Sequence, residues 1–298
     1  MDFQTDLRGW PNSTWSRQVK CAPHLWHVQE AGTGPTVLFL HGAGASTHSW
    51  AAVMQDMVRD HHVVALDLPG HGFTRLGNRR RSGLQHMTQD IAALCKQEGW
   101  SPKHVIAHSA GGAIALLLCH RHLAPLSPTI LAVNPALAEF DGVARTLFPI
   151  VAKGLSINPL VPLLVSWGPN AKGRASRLIR STGSDLSPEQ LECYAKLLQD
   201  RDHIQGALLM MAQWSFSELK AKLPILENRC TFVIGPRDKA VSPIQVEQAC
   251  TKMRNCRTVI LPDLGHLAHE EAPERVARLI RQDLQGSAPD NLRTCSND

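Results

Sequence analysis

No apolar run in the 298 residues reaches the length of a membrane span, which argues against a transmembrane chain. No short repeat occurs, and the 21 glycines and 19 prolines are scattered, which excludes collagen-like, coiled-coil and low-complexity chains. The eight cysteines form no CxxC pair. The start, MDFQTDLRGW, lacks a basic segment followed by an apolar stretch, so no secretory signal is expected. That expectation implies a cytoplasmic protein with reduced cysteines, among them Cys119 and Cys230 as small core residues. Charge of one sign is scarce too. The 31 basic and 26 acidic residues leave a net +5, without the clustering that nucleic acid demands. The one dense run, Arg79-Arg80-Arg81, is expected to be a solvated loop, with at most a peripheral contact to anionic lipid.

What is present is an ordinary soluble composition, 43% hydrophobic and 19% charged, able to bury a substantial core. The length fits two domains, or one large α/β domain carrying an insertion. Residues 16–30 partly alternate polar and apolar positions and predict two short antiparallel strands joined near Ala22-Pro23. Continuous apolar runs follow at 36–42, 62–67, 104–107 and 129–133, as expected of strands buried on both faces of a parallel sheet. Helical patterns at 87–96 and 111–122 separate them. Residues 137–224 read as a helical cap, with helices near 144–153, 188–199 and 204–213. Strand patterns resume at 230–235 and 257–261, and an amphipathic helix at 273–284 closes the fold. The core is therefore assigned to 1–136 and 225–298, with a polar, frayed tail from 286.

The strongest local signal is Val105-Ile-Ala-His-Ser-Ala-Gly-Gly112. A buried strand runs through small-x-Ser-x-Gly into an Ala/Leu-rich helix, the pattern of a nucleophile elbow. The turn is so tight that the residues two before and two after the serine must be small, as Ala107 and Gly111 are. It lifts the Ser109 hydroxyl above the sheet edge and leaves the Ala110 N–H at a helix N-terminus, where it can bind an oxyanion. Phe39-Leu-His-Gly-Ala-Gly44 offers a second donor, the Ala43 N–H. A dinucleotide loop there is disfavoured, because Thr47 stands where a third glycine is needed. Asp67-Leu-Pro-Gly-His-Gly72 is read as a structural turn.

Two late strand ends supply the remaining chemistry. Asp238 in Gly235-Pro-Arg-Asp238 can orient an imidazole, with Asp263 as a rival acid. His266 follows Gly265 and can take the serine proton. The chain order Ser109, Asp238, His266 is that of the α/β-hydrolase fold. His266-x-x-His269-Glu270 lacks a third ligand at sensible spacing, so neither a metal nor a cofactor is expected. His269 and Glu270 are expected to begin the final helix. The pairs His61-His62 and His24/His27 are read as strand-end or surface residues. Met210, Met211 and Trp214 at helical spacing read first as plain helix core, and with Trp167 elsewhere in the insertion and His108 they are also the candidate lining of a substrate pocket under the cap.

Together these motifs resemble the α/β-hydrolase superfamily over nearly the whole chain. A narrower resemblance is to the magnesium-chelatase accessory family of bacteriochlorophyll biosynthesis. It is carried by Asp6-Leu-Arg-Gly-Trp-Pro-Asn-Ser13, by residues 41–50, 67–74 and 108–111, by Thr182-Gly-Ser184, and by residues 206–214 and 265–271. The resemblance implies a role around magnesium insertion into protoporphyrin, with porphyrin or magnesium-porphyrin as possible ligand and chelatase subunits as possible partners. It implies no particular reaction. An active serine hydrolase, a non-catalytic porphyrin or chelatase helper, and another hydrolase such as a carbon–carbon bond hydrolase all remain open. A dehalogenase or epoxide hydrolase is disfavoured, since position 109 is not a carboxylate.

Overall fold

The computed structural model describes residues 1–138, 160–167, 169–286 and 292–293. Among these, nine strands form one sheet: β1 (Ser16–Cys21), β2 (His24–Ala31), β3 (Thr36–Leu40), β4 (His62–Leu66), β5 (His104–His108), β6 (Thr129–Val133), β7 (Cys230–Ile234), β8 (Cys256–Ile260) and β9 (Leu292–Arg293). Their order is β1-β2-β4-β3-β5-β6-β7-β8-β9. The stretch from β4 to β8 is parallel, while β1, β2 and β9 pair antiparallel at the edges.

The continuous apolar runs are explained by helices on both faces. On one side Leu38, Leu40, Val64, Leu66, Val105 and Ala107 pack against α2 (Leu84–Glu98) and α3 (Ala110–Arg121). On the other, Val37, Phe39, Val63, Ala65 and Ile106 pack against α1 (Ala51–Met57) and a final helix at Pro273–Leu284. Cys119 and Cys230 are fully buried, as small core residues.

Between β6 and β7 the described elements are all helical: α4 (Leu160–Trp167), α5 (Ala171–Ser181), α6 (Pro188–Gln199), α7 (Arg201–Gln213) and α8 (Ser217–Lys222). Helix α6 opens with a capping box in which Ser187 and Gln190 satisfy each other's backbone N–H. Helix α7 lies directly on the loop after β4. A Cβ on Gly206 would sit 2.0 Å from the Gly70 carbonyl oxygen, so only glycine allows this approach. A small apolar cluster joins the insertion to the core, with Ile179, Leu191 and Tyr194 against Trp10, Ala45 and Phe73.

Several expectations are corrected. The tail is not wholly frayed, since Leu292 and Arg293 pair with β8. His269 and Glu270 do not begin the last helix; they lie on a separate turn, α10 (Ala268–Glu271), after α9 (Pro243–Cys250) and before α11 (Pro273–Leu284). His24 does stand at a strand end, the first residue of β2, but neither it nor His27 is a surface residue: each is buried on a buried carboxylate, Asp90 at 3.1 Å and Asp67 at 2.7 Å. Arg81 is not merely solvated either, as its guanidinium grips both oxygens of Asp90. The expected helix at 144–153 and Cys295 lie outside the described residues.

Candidate active site

Strand β5 ends at His108, and the chain turns at Ser109 into α3. Ser109 has φ 49° and ψ −118°, a conformation that costs a non-glycine residue of order 1–3 kcal/mol. Its N–H donates to the Val133 carbonyl, and its carbonyl accepts from Gly112 and Ala136, which hold the strained turn in place. Ala107 is fully buried, and a Cβ on Gly111 would lie 2.5 Å from the Leu40 carbonyl oxygen. The approach of α3 to β3 thus requires glycine at 111.

His266 and Asp238 arrive from loops after β8 and β7. The His266 imidazole is 2.7 Å through Nδ1 from Asp238 Oδ2. Asp238 Oδ1 accepts from the Ala240 and Val241 N–H groups at 2.7 and 2.8 Å, which fixes the carboxylate plane. Asp263, the rival acid, is exposed, and its backbone carbonyl takes the Arg237 guanidinium.

The loop bearing His266 is anchored by two residues at strand ends. Asn134, at φ 45°, donates to the Gly265 and His266 carbonyls and accepts from the Gly235 N–H. One side chain thereby ties the acid loop to the base loop. Sequence reasoning missed it; its only local signal is a polar residue closing an apolar strand. His108 Nε2 lies 3.0 Å from the same His266 carbonyl. Burial pushes the His108 imidazole well below its usual basicity, so it donates there as a neutral ring.

Ser109 and His266 line one cavity of about 440 Å³, together with Ala43 and Ala110. Met210, Met211 and Trp214 border it, as do His108 and residues that the sequence did not single out: Leu178, Ile179, Tyr194 and Phe216. Trp167 is not in this lining and is 85% exposed on α4. The described lining includes no Lys, Arg, Asp or Glu.

Tyr194 donates to Glu270 Oε1 at 2.6 Å behind the cavity wall. Burial raises the Glu270 carboxyl from 4.5 to about 8, partly offset by the Tyr194 hydroxyl. The folded protein therefore holds a proton here that an unfolded glutamate releases near 4.5, and this site destabilises the fold as pH climbs between those values. Glu270→Gln keeps an acceptor for Tyr194 and abolishes the titration. The variant is expected to gain in thermal midpoint relative to wild type as pH rises from 5 to 9, and an unchanged difference across that range would refute the assignment.

A family profile described as the Alpha/beta hydrolase family matches residues 37–279. The chain belongs to that family. It is 36% identical over 288 residues to the magnesium-chelatase 30 kDa subunit of Rhodobacter capsulatus, spanning 96% of this chain and 100% of that protein. Human monoacylglycerol lipase ABHD6 is 22% identical over 267 residues, 84% of this chain and 75% of that one. Among solved structures, a putative lipase of Acinetobacter baumannii superposes with a TM-score of 0.77 at 21% identity, covering 96% of both chains. The epoxide hydrolase CorEH superposes at 0.76 with 17% identity, over 91% of this chain and 98% of that one. At such identities the structural likeness speaks for the fold alone. Among the described residues no helix is long and apolar enough to cross a membrane.

Proposed function

We propose that this chain is a serine hydrolase of neutral, apolar esters that serves alongside magnesium chelatase in bacteriochlorophyll biosynthesis. The observation that carries the chemistry is the Asp238–His266 hydrogen bond at the rim of the cavity that also holds the strained Ser109. A mere binding cavity has no physical need for that strain. Ser109 Oγ attacks the ester carbonyl while its proton passes to His266. The Ala43 and Ala110 N–H groups receive the developing oxyanion. Collapse expels the alcohol, which takes the proton from His266. Water then attacks the acyl-enzyme, its proton again moving to His266; collapse breaks the bond from Ser109 Oγ to the acyl carbon, Ser109 Oγ takes the proton back from His266, and the carboxylic acid leaves.

The uncharged lining supports a neutral substrate, because an anionic carboxylate buried there would lack a cationic partner among the described residues. The whole-length relationship to a protein named as a magnesium-chelatase subunit supports the place of action. The same relationship favours a second reading, a non-catalytic helper that binds porphyrin or the chelatase subunits.

Fluorophosphonate labelling tests the first. Wild type is expected to be modified at Ser109, and Ser109→Ala to remain unlabelled. Absence of labelling in wild type would leave the helper reading. Complementation of a chelatase-accessory deletion strain by Ser109→Ala would show that hydrolysis is dispensable in the cell.

A further inference from the structure

We infer that His203, on helix α7 of the insertion, is a positioning residue that sets the oxyanion turn from outside the core, an inference that rests on the serine-hydrolase reading. The turn at 42–45 closes through the Ala45 N–H on the Gly42 carbonyl. His41 holds it from below. Its Nε2 accepts from the Leu68 N–H at 2.9 Å, so the proton sits on Nδ1 and is donated to the Gly42 carbonyl at 2.7 Å. That carbonyl and the Ala43 N–H belong to one peptide plane and point in opposite directions. Fixing the carbonyl therefore fixes the direction of the N–H.

The far end of the turn is held from the insertion. The Gly72 N–H donates to His203 Nδ1 at 3.0 Å. The remaining proton of the neutral ring then lies on Nε2, 3.2 Å from the Gly44 carbonyl oxygen. His203 is 3% exposed, and burial keeps its imidazole well below its usual basicity, so this neutral tautomer is the one present. The ring has little freedom to move. Asp200 Oδ1 caps the His203 N–H at 2.7 Å, and Gly206, one turn later, rests against the Gly70 carbonyl. Gly42 and Gly44, the neighbours of the donor residue Ala43, are thus each held by a histidine, one from the core and one from the insertion. Glycines on both sides of Ala43 leave the turn free to wander unless its carbonyls are tied.

Two substitutions separate positioning from packing. In His203→Asn the side-chain oxygen can still accept from Gly72, but nothing reaches Gly44. In His203→Gln the longer amide returns a donor near the Nε2 position. The readouts are the second-order rate of fluorophosphonate modification and kcat and KM for p-nitrophenyl butyrate, with the thermal midpoint of each variant. Removing an oxyanion donor outright costs about 10²–10³ in kcat, and a displaced donor costs part of that. His203→Asn is expected to lower both rates roughly ten- to hundredfold with KM within about threefold, and His203→Gln to recover most of the loss. An Asn variant as fast as wild type overturns the inference, as do Asn and Gln variants slowed equally. A wild type inert to the probe overturns the hydrolase reading itself and this inference with it, and is recognised because it needs no variant.

Discussion

Asp238→Asn is expected to lower kcat by about 10⁴ while leaving KM within a few fold. The direction follows from how the two carboxylate oxygens are used. Oδ1 takes two backbone N–H groups, from Ala240 and Val241, whereas among the described residues Oδ2 takes only the His266 imidazole. An asparagine places its oxygen where two donors converge, so its NH₂ group faces His266. The imidazole must then accept at Nδ1 and carry its proton on Nε2, the nitrogen that would receive the Ser109 proton in the proposed reaction. The site keeps its shape and loses its base. Steady-state kinetics on p-nitrophenyl butyrate decides the matter, and a loss within tenfold would remove Asp238 from the catalytic set. Far-ultraviolet circular dichroism of the variant should match wild type, because both oxygen positions remain filled.

The elbow was legible because its constraint is local. A strand and a helix that meet within a few residues leave no room for a Cβ at 111, and the sequence has glycine there. The parallel strands were legible for a related reason, since burial on both faces writes an uninterrupted apolar run. The support around the elbow was not. Asn134, His203 and Tyr194 act on partners more than 75 residues away, on Gly265, Gly44 and Glu270. No periodicity announces such contacts. His24 and His27 mislead in the same way, because a histidine at a strand reads as exposed unless its distant carboxylate is known. Met210 and Met211 border the cavity, whereas their helical spacing read first as helix core, and Trp167 points to solvent. Helical spacing fixes positions only within one helix, and Trp167 belongs to another.

Asp67 carries the second large expectation, this time for stability. The sequence motif that contains it has the look of a turn, but its carboxylate is a buried hub. Oδ1 accepts from the Thr47 N–H at 2.7 Å, and Oδ2 accepts from the Phe73 N–H at 2.8 Å and from His27 at 2.7 Å. Asp67→Ala strands all three donors in the buried interior. Each donor left unsatisfied in the interior costs about 1–3 kcal/mol. The urea midpoint should fall markedly, and the turn at 42–45 should loosen with it, since Thr47 lies two residues after that turn. Acid should reproduce the effect in wild type. Burial opposes the Asp67 charge, but His27 and the backbone donors outweigh it and hold the carboxyl well below its ordinary 3.8. A depressed carboxyl stabilises the fold fully above its unfolded value and loses that contribution as pH falls through the lower, folded one. The wild-type unfolding midpoint should therefore drop steeply below pH 4, and Asp67→Asn, which has no proton to gain there, should show a shallower fall. Parallel acid curves for the two proteins would place the stabilising charge elsewhere.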